Sequence, residues 1–180
     1  MNKKGFTLIE ILAVIIIISI VGAIGIASIS NSTDKARRSS FVTLAKNYAE
    51  SARFMRGHDR LPHDPKNGEV VLIKLDALDG MDKNEDYETE YGDIIQELSY
   101  IAVVNDNYEY SYYITLIDTS GHCLLNVEYS IATDKSLNTT YNKNKVFNFQ
   151  TASVATTLTI DGKKYKVTSI HDKYVVLKVV

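Results

Sequence analysis

The sequence predicts an α+β protein: a long N-terminal α-helix packed by its C-terminal half on an antiparallel β-sheet head domain. Three observations carry this. An apolar run extends from Phe6 to Ile29, a helical apolar stripe continues it from Phe41 to Met55, and alternating strand patterns with tight-turn signals fill the second half of the chain. Over 180 residues the mean hydropathy is -0.10, an average that conceals the concentration of apolar residues at the N-terminus. A net charge of -2 and a pI near 6.1 give no reason to expect nucleic-acid binding through many neutralised phosphates. The single cysteine, Cys123, excludes an intrachain disulfide and a thiol-rich metal cluster.

The segment 6–29 reads FTLIEILAVIIIISIVGAIGIASI, long enough at roughly 20 residues for a helix across a bilayer core. Lys3 and Lys4 precede it, but the apolar stretch is too long for the core of an ordinary cleaved signal, so it is expected to be retained. Glu10 is the anomaly, since an ionisable group within a membrane helix costs about 2.5–3.5 kcal/mol and calls for a partner. A cut after Gly5 would supply one, by exposing a positive N-terminal amine at Phe6, four residues from Glu10.

The run KKGFTLIE resembles the class III signal of type IV pilins and pseudopilins. The resemblance covers about thirty residues and implies cleavage by a prepilin peptidase between Gly5 and Phe6, N-methylation of Phe6, and pairing of Glu10 with the amine of a neighbouring subunit. It further implies a type IV pilin-like fold, polymerisation with other pilin subunits, an assembly ATPase and a membrane platform protein. The chain would then be a single-pass membrane protein with its head outside the cytoplasm before assembly, and part of an extracellular pilus afterwards. A plain signal anchor is the alternative for this segment alone. Two departures from the family pattern stand out: no proline interrupts the second half of the apolar segment, and no C-terminal disulfide loop is present. Lys, Asn, Ile and Tyr usage points to a Gram-positive, clostridium-like source.

Beyond Ile29 the helical period persists. Phe41, Leu44, Ala45, Tyr48, Ala52 and Met55 form one face, with Gly57 and Pro62 as the stop. Uninterrupted, the rod would measure about 78 Å. The division is therefore a leader at 1–5, a membrane or filament-core half at 6–29, an amphipathic half at 30–57 and a head at 58–180. Lys35, Arg37 and Arg38 are expected on a solvated face.

Residues 58 to about 97 read as a connecting region holding one short buried element, strand or helix, at VVLIKLDAL. Strands follow. Ser99 to Val104 forms one; Tyr110, Tyr112, Ile114 and Leu116 share a face in the next; Leu125, Val127, Tyr129 and Ile131 share a face in a third. Asn105 to Asn107 and Thr119 to Gly121 are turns, giving a meander. Asp161-Gly162 signals a type I′ hairpin with Leu158 opposite Tyr165, and Tyr174 to Val179 is the last strand.

No catalytic constellation emerges, and the chain is read as a non-enzyme. His58, His63, His122 and His171 are scattered, and Cys123 beside His122 is expected to be a buried structural thiol. In DGMDKNEDYETEYGD, the set Asp82, Asn84, Asp86 and Asp93 has spacing that suits calcium, but Tyr87 stands where an EF-hand loop needs glycine, so a solvated acidic loop is favoured and no cofactor is expected. Tyr108, Tyr110 and Tyr112 are assigned to the core rather than to a sugar-binding platform. The sequons at Asn31 and Asn138 carry little weight. The reading is a major or minor subunit of a type IV pilus serving adhesion, motility or surface interaction. The alternatives are a pseudopilin of a secretion or competence system, and a membrane-tethered adhesive module.

Overall fold

The computed structural model describes residues 7–80 and 87–180, without the side chains of 23–28 and 144. It shows a helix, α1 (Leu8–Gly57), and seven strands: β1 (Glu69–Lys74), β2 (Tyr100–Asp106), β3 (Glu109–Ile117), β4 (Cys123–Glu128), β5 (Thr157–Ile160), β6 (Lys163–Ile170) and β7 (Tyr174–Val179). The chain divides into two compact units at 1–37 and 38–180. The α+β class and the antiparallel sheet agree with the sequence reading.

In the first unit, every large apolar side chain described from Leu8 to Val21 is exposed, the least exposed being Ile16 at 51%. Apolar residues all around a helix leave no polar face to turn to water. Among the described residues, no helix is long and apolar enough to cross a membrane. The side chains of 23–28, near the C-terminal end of the expected membrane segment 6–29, lie outside the description.

In the second unit, the helical stripe meets the sheet. Phe41, Ala45, Tyr48, Ala49 and Ala52 are fully buried, in one cluster with Val71, Ile73, Ile101, Val103, Ile114 and Leu116. Alanines at 45, 49 and 52 keep that face of the helix thin, so the backbone can lie close to the strands. The helix does not stop at Gly57 through glycine's freedom. Asp59 adopts φ 55°, the Arg60 amide donates to Met55 O (2.8 Å) and the Asp59 amide to Arg56 O (3.1 Å). These are the two bonds of a Schellman closure, with an aspartate in the left-handed position.

All seven strands belong to one sheet in the order β4-β3-β2-β1-β7-β6-β5, antiparallel throughout. The segment expected to be a connector therefore holds the central strand. Residues 69–73 of β1 are all buried, and a strand covered on both faces reads as a continuous apolar run rather than an alternating one. VVLIKLDAL resolves into β1 without its first residue and a single 3₁₀ turn at Leu75–Ala77.

The meander β2-β3-β4 is present, with two corrections. Asn105 is buried within β2, and the turn is Asn107-Tyr108 instead, both at positive φ. In β4 the register shifts between the pairs Ile114↔Val127 and Leu116↔Leu124, with Asn126 at φ 49°. A bulge adds a residue to one strand and reverses which side chains face inward beyond it. Leu124, not Leu125, thus joins Val127 under the helix. Ile131 lies beyond the strand and is 67% exposed. The Asp161-Gly162 hairpin forms as the sequence predicts, with Leu158 opposite Tyr165 and both turn residues at positive φ.

The second face of the sheet carries its own core, formed by Val70, Leu72, Tyr100, Ala102, Leu158 and Leu177 with Phe147 laid over them. Tyr100, Phe147 and Phe149 make mutual edge-on contacts at centroid distances of 5.1–6.2 Å. The sheet curls around this core until its edges approach, and Asn126 Nδ2 in β4 donates to Thr159 O in β5 (3.3 Å).

Candidate functional site

Gly5 and Phe6 lie outside the described residues; Thr7 and Glu10 lie within them. The Thr7 amide donates to Glu10 Oε2 (2.8 Å), and so does the Thr7 hydroxyl (2.9 Å). The Glu10 amide in turn approaches Thr7 Oγ1 (3.3 Å) and Thr7 O (3.1 Å). This is a reciprocal capping box: threonine occupies the N-cap and glutamate the third helical position, each satisfying an amide the helix start would otherwise orphan. The negative charge also sits at the positive end of the helix dipole.

The box adds Thr7 to the site, a residue the sequence reading passed over. Its signal is plain in retrospect, as Thr-Leu-Ile-Glu is the Thr-x-x-Glu spacing that opens a helix. Glu10 is exposed, and both Thr7 bonds fall on the same oxygen, Oε2. Oε1 receives no bond among the described residues. Chemically, the arrangement fixes a carboxylate at the start of an apolar helix with one oxygen turned to local order and one available to a cation.

The remaining candidates separate. Arg38 is not on a solvated face: its guanidinium donates to Asp134 O (2.9 and 3.2 Å) and Leu137 O (2.8 Å). Lys35 and Arg37 are exposed. Cys123 is fully buried, and burial, aided by the charge of Asp118, pushes its thiol up to about 11, so it is no nucleophile at neutral pH. His122 turns elsewhere, stacking on Tyr91 (3.7 Å) with Nδ1 2.7 Å from Ser120 Oγ. That hydroxyl also lies within hydrogen-bond distance of the fully buried Asp118 carboxylate. Serine thus sits between acid and imidazole. A nucleophile activated by histidine needs the imidazole in the middle.

His63 and His171 both stack near Tyr174, at 5.9 and 4.3 Å, while His58 lies tilted against Phe54 at 4.1 Å. Of the calcium candidates, Asp82, Asn84 and Asp86 lie outside the described residues. Asp93 is described and exposed, and among the described residues no group of acids, histidines or cysteines is placed to hold a metal ion. Tyr110 and Tyr112 pack against the helix-side core, with the Arg56 guanidinium 3.2 Å above the Tyr110 ring. Tyr108 does not join them; it is 79% exposed at the hairpin tip. A cavity of about 700 Å³ beside β5, lined by Lys143, Lys145, Phe147 and Leu158 among others, has no carboxylate or histidine among its described lining residues.

Comparison with known proteins singles out the same end of the chain. Residues 1–26 match the family model described as the prokaryotic N-terminal methylation motif. No curated protein matches the chain. No solved structure matches it either. The match gives no support to a clostridium-like source.

Proposed function

We propose that this chain, whose N-terminus is a class III signal of the type IV pilin and pseudopilin kind and a substrate of prepilin peptidase, is a structural subunit of a type IV pilus. The observation that supports it most is the Thr7–Glu10 capping box at the head of a helix whose large apolar side chains from Leu8 to Val21 are all exposed. Such a helix needs lipid before assembly and like helices after it.

In this reading, residues 1–5 are removed on the cytoplasmic side and Phe6 is methylated. The segment 6–29 anchors the subunit in the membrane with its head outside, and an assembly ATPase and a membrane platform protein move it into the fibre. Transfer from lipid to a bundle of apolar helices changes little in hydrophobic free energy, so packing and polar contacts must supply specificity. Glu10 Oε1 is the atom assigned to the amine of the adjacent subunit, while the bonds to Oε2 hold the carboxylate in place. No cofactor enters the reading.

Mass spectrometry of the mature chain tests the first step, with a mass beginning at methylated Phe6 as the expected result; a chain retaining Met1 to Gly5 overturns it. For the second, Glu10→Ala is expected to remain inserted and processed while its incorporation into filaments falls at least about tenfold, as for loss of a desolvated charge pair.

A further inference from the structure

Charge in the second unit is arranged in two like-signed pairs on different flanks of the sheet. On β6 and β7, Lys166 lies directly opposite Lys178, and Lys164 follows two residues along β6 on the same exposed face. Lys178 reaches Glu69 (3.2 Å), but Lys164 and Lys166 enter no ion pair among the described residues. Near the β3–β4 turn, Tyr87 and Ile94 close a small hairpin in which Glu88 bridges directly to Asp93. Glu88, Glu90 and Asp93 are exposed and likewise have no ion pair among the described residues.

Like charges placed directly opposite across strands are destabilising. The Glu88–Asp93 pair is therefore a local cost left without a counter-ion among the described residues, and on the lysine face Glu69 offsets Lys178 but not Lys164 or Lys166. The sequence sharpens the contrast: residues 76–97 contain nine acidic residues and one lysine, whereas 151–180 contain five lysines and two aspartates. The acidic hairpin is also held in position. The Thr119 amide donates to Asp93 O (2.8 Å), Ile94 pairs with Asp118, and Gly92 lies so close that a Cβ there would stand 2.6 Å from Thr119 Oγ1.

We propose that the lysine face of β6–β7 docks the acidic hairpin 87–94 of a second copy of this chain. The hairpin presents Glu88 and Asp93 at the spacing of a cross-strand pair, roughly 4.5–5.5 Å between Cβ atoms, and the lysine face presents Lys164 and Lys166 side by side on one face of β6, so the charges left without partners can neutralise each other. The two surfaces are different patches of one molecule, and such head-to-tail contacts propagate into open helical filaments wherever the rotation between copies does not close into a ring. The proposal rests on the reading of the chain as a filament subunit and assigns the contact between neighbouring heads.

The test is a charge swap in the full chain. Lys166→Glu and Glu88→Lys alter exposed side chains, and each alone is expected to lower filament yield at least about tenfold, since like charges brought together at an interface oppose association. The double variant is expected to recover to within about twofold of the parent. Circular dichroism of the detergent-solubilised chains and the mass of the mature N-terminus verify folding and processing. Single variants that assemble like the parent overturn the proposal, and so does a folded, processed double variant that fails to recover, which would assign the lysine face to a different anion. A parent chain that is processed but forms no filament overturns the reading beneath it, an outcome visible without any variant.

Discussion

Tyr108 sits in a costly backbone conformation. It occupies the second position of a type I′ turn at φ 66°, where glycine is the ordinary choice, and the same sheet uses glycine at the equivalent place in Asp161-Gly162. A bulky left-handed residue costs roughly 1–2 kcal/mol, and at 79% exposure little burial offsets it. Tyr108→Gly is expected to raise stability by about 1 kcal/mol, read as a higher thermal midpoint. An unchanged or lower midpoint would mean that the tyrosine makes a contact worth its strain. Glu69 gives the pH dependence. Burial of its side chain raises its pKa, but bonds from the Lys66 amide, Lys178 and His63 outweigh this and hold it below the ordinary 4.5. A depressed carboxylate contributes stability that is full above its unfolded value and is lost as pH falls through the folded one. Acid unfolding of the parent should therefore begin below about pH 4.5, and Glu69→Gln should flatten that limb while lowering stability at pH 7.

At the scale of elements, the α1 stripe was legible because burial on one face imposes the 3.6-residue period directly: Phe41, Ala45, Tyr48, Ala52 and Met55 are the buried positions the spacing picks out. Val42 and Ala49 widen the stripe. Phe41→Ala is expected to cost about 3–5 kcal/mol, and Ala49→Leu about 1–3 kcal/mol by forcing the helix off the strands; denaturant titration distinguishes both from surface substitutions. β1 was legible only as a short buried element, strand or helix, because a strand buried on both faces loses its alternation, and the β4 bulge escaped because no local signal reports which residue a partner strand will leave unpaired. Asn126 is that residue. Its side chain accepts from Thr115 Oγ1 (3.1 Å) and donates to Thr159 O. Asn126→Ala removes the link between the sheet edges and leaves a non-glycine residue at φ 49° without its polar compensation. A loss of about 1–3 kcal/mol is expected, with faster amide exchange in β5.

Across the whole molecule, the helix-side core could be anticipated from the stripe, but the opposite core could not. Phe147, Phe149 and Ala152 come from a segment with neither strand nor helix periodicity, and only the curled sheet gives them something to cover. The candidate site divides in the same way. Glu10 announced itself as a charge out of place, whereas Thr7 looked like an ordinary polar residue until its hydroxyl was found on the Glu10 carboxylate.

Val71 pairs with Val176, more than a hundred positions later, and β7 alone joins β1 to β6. A chain delivered from its N-terminus can build β1 to β4 against the helix as it emerges, yet β5 and β6 have no strand of that sheet to pair with until Tyr174–Val179 arrives and inserts between β1 and β6. Closure of the head is thereby postponed to a late, long-range event of the kind that folds slowly. A stop codon before Tyr174 should release a hairpin tethered to half a sheet, sensitive to protease at 157–170 while α1 and β1–β4 resist.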